Sequence, residues 1–284
     1  MERIQQALER ARQEQAARKP APDARPRIAE ARDVSDSQPV TAETLGHAVP
    51  ESQISYSLTQ VVKAVPEALK RNRIVAGNDS DPAATAYKML RTQVLQKLVE
   101  KGWNALAITS PGMGNGKTLT AINLAISLAR EVHHTVLLGD LDMRHPSIHT
   151  YFGLTPEFGI SDFLLRDVPM QDILINPGIE RLVLLPGREV LNNSSELLAS
   201  PKMAKLVSEL KSRYPSRIVI FDLPPILSAD DALAFAPHVD AALLVIEDGK
   251  TTRAEVEHAL SLMRNTSLLG TVLNKSSVAP GAYY

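Results

Sequence analysis

The residues with the clearest chemical potential lie in the sequence GMGNGKT, which runs from Gly112 to Thr118. Three glycines let successive backbone N–H groups curl around an anion, because a residue without a Cβ adopts conformations that others avoid. Lys117 is placed to neutralise the terminal phosphates of a nucleotide, and Thr118 is placed to offer its hydroxyl to Mg²⁺. The sequence therefore predicts a phosphate-binding loop. Its candidate binding residues are Gly112, Met113, Gly114, Asn115, Gly116, Lys117, Thr118 and Leu119.

This loop departs from the strict pattern G-x-x-x-x-G-K-[ST] at its first position, where Pro111 replaces glycine. Its surroundings fit the pattern, since the apolar run Ala105–Thr109 precedes it and apolar residues recur at helical spacing from Lys117 onward. A strand, a glycine-rich turn and a helix in this order deliver an anion to the positive end of the helix. The alternative is a turn that merely contains GNGKT.

Three acidic residues follow two other apolar runs. Asp140 and Asp142 come after Thr135–Leu138, and Asp222 closes the run Ile218–Phe221. On an extended chain the first two carboxylates point to the same side, so both can face one metal ion or one acceptor hydroxyl. Carboxylate oxygens beside a phosphate loop are the usual orienters of Mg²⁺. The alternative is that these residues are turn or helix-cap acids.

The elements that must position these groups alternate along the chain from Trp103 onward. Runs rich in Val, Ile and Leu without polar alternation indicate strands buried on both faces, which is typical of a parallel sheet. The sequence therefore predicts an α/β fold, with a mainly parallel sheet and helices on both faces. The predicted strands are Ala105–Thr109, Thr135–Leu141, Arg181–Leu185, Arg217–Phe221, Ala241–Glu247 and Leu268–Leu273. The predicted helices are Thr85–Glu100, Lys117–Val132, Ser194–Arg213, Ala229–His238 and Thr252–Asn265.

The first eighty residues differ from the rest in composition. Residues 1–18 favour a short amphipathic helix, residues 19–50 have the proline-rich composition of a disordered linker, and residues 57–73 favour a second helix. We therefore expect a helical and partly disordered region at 1–80, a nucleotide-binding domain at 81–275 and a tail at 276–284.

Overall composition disfavours some function classes and excludes others. The 284 residues carry a formal net charge of −1, so no global charge attracts the chain to nucleic acid or to anionic lipid. The chain has no cysteine, which excludes disulfides, thiol catalysis and cysteine-ligated metals. Without a signal-like segment or an apolar run of about 20 residues, we expect a cytoplasmic protein. The histidine pairs 133/134 and 145/149 lack the spaced partners of a metal site.

Four stretches resemble the bacterial tyrosine kinases of capsule and exopolysaccharide synthesis. They are SPGMGNGKTLTAINLAISLA, VLLGDLDMRHPSIHTYFG, IVIFDLPPILSADDA and GTVLNK. In that family the first three are the Walker A, Walker A′ and Walker B motifs of a deviant P-loop fold. The upstream TAYKMLRTQVL is similar to the family's EAYRxLRTN segment, so the resemblance extends from about residue 82 to the C-terminus.

The resemblance implies ATP and Mg²⁺ as cofactors and assigns roles to the charged residues. Lys117 would hold the terminal phosphates, and Thr118 would ligate Mg²⁺. Asp142 and Asp222 would position the metal, directly or through water, and Asp140 would accept the proton of a tyrosine.

Two further residues receive roles in the same way. Asn274 resembles the residue that reads the adenine edge, with a polar cap at a strand end as the alternative. Arg144 would stabilise charge at the acceptor or at the next subunit, or would pair with a nearby acid.

The family's acceptor is usually a tyrosine-rich C-terminal tail, and this chain ends in Tyr283 and Tyr284. An extended chain from Asn274 would reach about 30 to 35 Å, enough to enter a neighbouring subunit's site. A tail that merely happens to end in two tyrosines is the alternative. In the family the EAYRxLRTN segment is used in ring-like self-association, and in this chain its glutamate and first arginine are replaced by Thr85 and Lys88.

The resemblance also implies partners and a location. Self-association, a membrane-embedded polysaccharide co-polymerase as activator, and a cognate tyrosine phosphatase are expected, and nucleic acid is not. The activator would hold the kinase at the inner membrane. Residues 1–18 or 52–73 could be the segment that docks onto the activator.

Two other functions remain open from the sequence. The first is an ATPase switch without kinase activity, like the partition and division-site ATPases of the same superfamily. Those proteins carry a signature lysine where this chain has Gly112. The second is a nucleotide-binding scaffold that only assembles the polysaccharide machine.

Overall fold

The computed structural model describes residues 59–214 and 216–277, and an eight-stranded sheet runs through them. The helix expected at 1–18, the linker at 19–50 and the two terminal tyrosines lie outside these residues. The strands are β1 Gln60–Val61, β2 Ala105–Thr109, β3 Thr135–Asp140, β4 Ile175–Asn176, β5 Leu182–Leu185, β6 Arg217–Asp222, β7 Ala241–Glu247 and β8 Leu268–Asn274.

The strands follow the order β1-β4-β5-β3-β6-β2-β7-β8 across the sheet. Every neighbouring pair is parallel except β4 and β5, which are antiparallel. The predicted α/β fold with a mainly parallel sheet is therefore confirmed. The four central strands β3, β6, β2 and β7 are almost wholly buried, as their unbroken apolar runs predict.

Helices connect the strands. They are α1 Pro66–Arg71, α2 Pro82–Lys101, α3 Lys117–Ala129, α4 Ile148–Tyr151, α5 Ile160–Arg166, α6 Met170–Ile173, α7 Ser194–Leu198, α8 Pro201–Ser212, α9 Asp231–Phe235 and α10 Arg253–Leu262, with a 3₁₀ turn at Ala236–His238. No helix in the described ranges is long and apolar enough to cross a bilayer.

Alternate residues of each central strand belong to two different apolar cores. Leu106 and Ile108 of β2 pack with α2 and α3 on one face of the sheet. Ala107 and Phe221, from β2 and β6, pack with α5, α8, α9 and α10 on the other face. This arrangement follows from the two-residue period of a strand, and it fixes the sheet between two helical layers.

The helices predicted over 57–73 and Ser194–Arg213 differ most from those observed. The helix expected over 57–73 is wrong for most of its length, because β1 pairs with β4 and only Pro66–Arg71 is helical. Proline at the first position of α1 suits a helix start but cannot lie inside a helix. The helix expected over Ser194–Arg213 is two helices, since Ser200 caps α8 by accepting from the Met203 N–H and Pro201 begins it.

A buried asparagine ties the segment before α2 to α3. The Asn123 side chain is fully buried, and its Oδ1 accepts from the N–H groups of Val75 at 2.8 Å and Ala76 at 3.0 Å. Its Nδ2 donates to the carbonyl oxygens of Arg73 at 3.3 Å and Leu119 at 3.0 Å. One side chain thus satisfies four backbone groups of two different segments.

Replacing this residue by alanine should lower the free energy of unfolding by roughly 2 to 3 kcal/mol, because buried backbone groups lose their partners. Urea unfolding followed by circular dichroism measures the change. Asn265→Ala, at an exposed position, is the matched control. An Asn123→Ala protein as stable as the control would show that the segment is held by other contacts.

Candidate active site

The strand order brings the three sequence motifs to one edge of the sheet. Strand β6 lies between β3 and β2, with Asp222 in register with Asp140 on one side and with Ile108 on the other. The phosphate loop follows β2 directly, so it lies above the tips of β3 and β6. Ligands of such sheets bind at the carboxyl ends of the strands, and the candidate acids lie there.

Lys117 forms the centre of a buried polar cluster. Its Nζ lies 2.8 Å from Oδ2 of Asp142 and 3.2 Å from Oδ2 of Asp222. The Thr118 hydroxyl donates to the same Asp222 oxygen at 2.6 Å. Burial lowers the pKa of Lys117, but the carboxylates of Asp222 and Asp142 outweigh burial and leave it raised. The ammonium therefore stays charged in the folded protein.

The cluster holds more negative than positive charge. Three carboxylates, from Asp140, Asp142 and Asp222, surround the one ammonium group of Lys117, and all three acids are buried. Burial raises the pKa of Asp222, against the opposing effects of Lys117 and Thr118. A divalent cation would offset this excess, because its positive charge stabilises ionised carboxylates that would otherwise tend to bind a proton.

The donor set fits Mg²⁺ in the presence of a nucleotide. Hydroxyl and carboxylate oxygens are available from Thr118, Asp142 and Asp222. The part of the chain that the structure describes contains no group of three or more His, Cys, Asp or Glu side chains arranged to hold a metal on their own. Mg²⁺ in nucleotide sites takes few protein ligands and completes its shell with waters and phosphate oxygens, so this arrangement is the expected one.

Asp140 has a distinct environment. Its Oδ2 accepts from the backbone N–H groups of Ser147 at 2.8 Å and Ile148 at 2.9 Å, while its buried Oδ1 has no hydrogen-bond partner within the described residues. Burial, together with the charge of Asp222, raises the pKa of Asp140 to about 7, although the two N–H groups oppose the change. A carboxyl with this pKa can exchange a proton near neutral pH.

The phosphate loop is held from outside by the last residue of β8 and by the residue that follows it. Asn274 Nδ2 donates to the carbonyl oxygen of Asn115 at 2.9 Å, and Lys275 Nζ donates to that of Gly114 at 2.8 Å. Gly116 has a φ of 95°, and a Cβ built on it would lie 2.0 Å from Asn274 Nδ2. Glycine is thus required at 116 both by its backbone and by its neighbour. The predicted contact of Asn274 with adenine stays a prediction.

Arg144 points to an acidic pair rather than into the Lys117 cluster. Its Nε donates to Oδ2 of Asp231 at 3.0 Å, and a second nitrogen lies 3.9 Å from Oδ1 of Asp230. Asp231 is fully buried and also accepts a hydrogen bond from the Ser194 hydroxyl. Of the roles expected for Arg144, pairing with a nearby acid is the one observed.

The remaining predicted residues lie on or beside the loop. Met113 lies in the loop and is 62% exposed, and Leu119 is half-buried in the first turn of α3. Sequence reasoning missed Asp231, which pairs with Arg144, and three residues that contact the loop. Glu247 and Thr251 accept from the Asn115 side-chain amide, at 3.5 and 3.1 Å, and Lys275 donates to the Gly114 carbonyl oxygen. Glu247 is the last residue of β7 and Lys275 follows the last residue of β8. Because ligands bind at strand ends, these positions could have marked both residues as candidates.

Comparison with known proteins identifies relatives of this chain. An AAA domain family matches residues 104–263. Among curated proteins, tyrosine-protein kinase YwqD of Bacillus subtilis is 32% identical over 219 residues, which cover 76% of this chain and 91% of YwqD. Putative tyrosine-protein kinase CapB of Staphylococcus aureus is 30% identical, over 70% of this chain and 86% of CapB.

Several solved structures are also similar to this chain. The chimerical protein CapA2B2 has a TM-score of 0.67 and 29% identity, over 76% of this chain and 93% of that one. The kinase domain of Escherichia coli tyrosine kinase ETK has a TM-score of 0.66 and 26% identity, over 79% and 94%. The septum site-determining protein MinD of Pyrococcus horikoshii, complexed with Mg-ADP, has a TM-score of 0.52 over 63% of this chain and 75% of that one; at 21% identity it shares only the fold.

The raised pKa of Asp140 predicts a pH-dependent effect of Asp140→Asn on the protein free of nucleotide and Mg²⁺. The folded-state pKa of about 7 exceeds the unfolded value near 3.8, so the wild type loses stability as pH rises through 7. Asparagine does not ionise. From pH 5 to pH 8 the mutant should therefore gain roughly 2 to 4 kcal/mol relative to the wild type.

Urea unfolding at both pH values measures this difference. Asp248→Asn removes a carboxylate from an exposed position and serves as the control. An Asp140→Asn protein whose stability relative to the wild type is the same at both pH values would contradict the raised pKa.

Proposed function

Because the chain belongs to the bacterial tyrosine kinase family, we propose that it is a Mg-ATP-dependent tyrosine autokinase that regulates capsule or exopolysaccharide polymerisation and export. The tyrosine-kinase class expected from the sequence is confirmed by relatives 30 to 32% identical over most of the chain. The single observation that best supports the activity is the buried cluster of Lys117, Thr118, Asp142 and Asp222 beside Asp140.

The residues of this cluster divide the work of phosphoryl transfer. Mg²⁺ would neutralise the charge that develops on the transferred phosphate. Thr118, Asp142 and Asp222 offer it oxygen ligands, and Lys117 holds the terminal phosphates. Since this chemistry depends mostly on positioning and charge neutralisation, a buried and prearranged cluster is well suited to it.

Asp140 is the proposed base. Its free Oδ1 accepts the phenolic proton of the incoming tyrosine, and a pKa of about 7 suits proton acceptance near neutrality. A Cβ built on Gly187 would lie 3.3 Å from the Asp140 carboxyl carbon and 3.4 Å from its Oδ2, so the chain at Gly187 packs beside the oxygen that Ser147 and Ile148 hold. The Asp140 side chain is wholly buried, so a neighbouring segment must move for the acceptor tyrosine to reach Oδ1.

The proposed acceptors are Tyr283 and Tyr284, delivered by the tail that follows β8. The proposed activator is a membrane-embedded polysaccharide co-polymerase, which would hold the kinase at the inner membrane. This proposal draws on the separate form of the family kinases, in which another chain supplies the membrane segment. A cognate tyrosine phosphatase and self-association complete the proposed set of partners.

Intact-mass spectrometry after incubation with Mg-ATP tests the kinase activity. The purified protein is first treated with a phosphatase, and the cytoplasmic segment of the activator is added in a parallel sample. We expect one or two added phosphates, mapped to Tyr283 or Tyr284. Asp140→Asn should abolish them, and it should leave nucleotide binding largely intact because the asparagine oxygen still accepts from Ser147 and Ile148.

Phe replacement of both tyrosines is the matched control, because it removes the acceptors and leaves the site whole. Autophosphorylation by Asp140→Asn would exclude Asp140 as the base. Steady ADP release without phosphate on any tyrosine, with or without the activator segment, would instead establish the ATPase switch.

Lys117→Met tests the nucleotide site itself. Loss of the ammonium leaves the buried carboxylates unneutralised and removes a phosphate ligand, so the Kd for Mg-ATP should rise at least about 100-fold. Isothermal titration calorimetry measures it. A Kd equal to that of the wild type would place the nucleotide elsewhere.

A further inference from the structure

A second ionic network lies on the outer side of the phosphate loop, away from Lys117. Its centre is Glu247 at the end of β7, whose Oε1 lies 3.0 Å from Lys275 Nζ and whose Oε2 lies 3.4 Å from Lys250 Nζ. The same Lys275 nitrogen donates to the carbonyl oxygen of Gly114 at 2.8 Å. The network therefore connects the ends of the last two strands to the backbone of the loop.

These contacts fix the direction of two loop peptides. Lys275 binds the carbonyl oxygen of Gly114, and Asn274 binds that of Asn115. In a trans peptide the C=O and the following N–H point in opposite directions. Anchoring both carbonyls on the outer side therefore turns the N–H groups of Asn115 and Gly116 toward the interior of the loop, where a phosphate binds.

The conformation of Lys275 adds a second geometric observation. Its φ is 59°, in the left-handed region that residues other than glycine adopt uncommonly. This turn ends β8 and carries the ammonium back over the loop. Glu247 pairs with that ammonium, and the hydrogen bond from Lys275 lowers the pKa of Glu247, so the pair stays ionised.

We propose that Lys275, held by Glu247, is a positioning residue of the nucleotide site: it presets the Gly114–Asn115 peptide so that its N–H faces the phosphates of the bound nucleotide. The proposal rests on the nucleotide site of the proposed kinase. It adds a positive charge that acts from behind the loop, in a chain whose loop has Gly112 in place of a lysine.

The charge strengthens this effect. An ammonium donor makes a charge-assisted hydrogen bond, and it polarises the peptide so that the N–H on its other side donates more strongly. With a phosphate bound, hydrogen bonds would run in series from the Lys275 ammonium through the peptide to the anion. Nucleotide affinity should thus depend on Lys275 even though its side chain lies behind the loop.

Lys275→Gln tests the proposal in the full chain. The Kd for Mg-ADP, measured by calorimetry, should rise about tenfold, because a neutral donor polarises the peptide less. In the nucleotide-free protein, hydrogen exchange of the peptide covering 112–118 should become faster. At saturating ATP the phosphorylation rate should change little, so KM rises while kcat stays. The melting temperature should also stay, because the Lys275 side chain is 48% exposed.

Lys250→Gln is the matched control, because it removes a charge from the same carboxylate without removing the donor to Gly114. It should change the Kd less than about twofold. Lys275→Arg keeps a charged donor and should restore most of the affinity. Glu247→Gln should act in the same direction as Lys275→Gln, and the double mutant should be less impaired than the sum of the two.

An unchanged Kd in Lys275→Gln, or an equal rise in Lys250→Gln, would overturn the proposal. Strict additivity of the Glu247 and Lys275 variants would also overturn it, because Glu247 would then not act through Lys275. These binding and exchange measurements do not involve tyrosine phosphorylation. A wild type that binds Mg-ADP but modifies no tyrosine would therefore refute the kinase and leave the role of Lys275 intact.

Discussion

The ion pairs of Lys117 with Asp142 and Asp222 are the interaction on which the site depends. They join three segments that are distant in sequence, the phosphate loop, the tip of β3 and the tip of β6. A buried ammonium and buried carboxylates are each costly alone, so the cluster is stable only when complete. Its carboxylates also outnumber its one ammonium group, and the excess negative charge attracts a divalent cation.

Much of the fold could be predicted because its strands are buried on both faces. Runs such as Ala105–Thr109 and Ala241–Glu247 contain no polar alternation, and both were predicted with their observed bounds. The short elements were harder. Strands β1 and β4 have two residues each, and their pairing depends on tertiary contacts such as that of Val62 N–H with Asn176 O, which no local pattern carries.

Only those residues of the candidate site that belong to recognisable sequence motifs could be predicted. Lys117, Thr118 and the two acids beside them were found because their spacing is fixed by phosphate and metal chemistry. The roles of Asp231 and Lys275 could not be found in this way. Each acts through one partner, Arg144 or the Gly114 carbonyl, and that partner becomes a neighbour only after the sheet has formed.

The contact between Asn274 and the phosphate loop has a consequence for the order of events during synthesis. Strand β8 is the last strand of the described chain, yet it supplies the group that holds the loop following β2. A nascent chain can assemble the central strands before β8 leaves the ribosome, but its loop would still lack this outer anchor. Full nucleotide affinity would then arise only once β8 has joined the sheet.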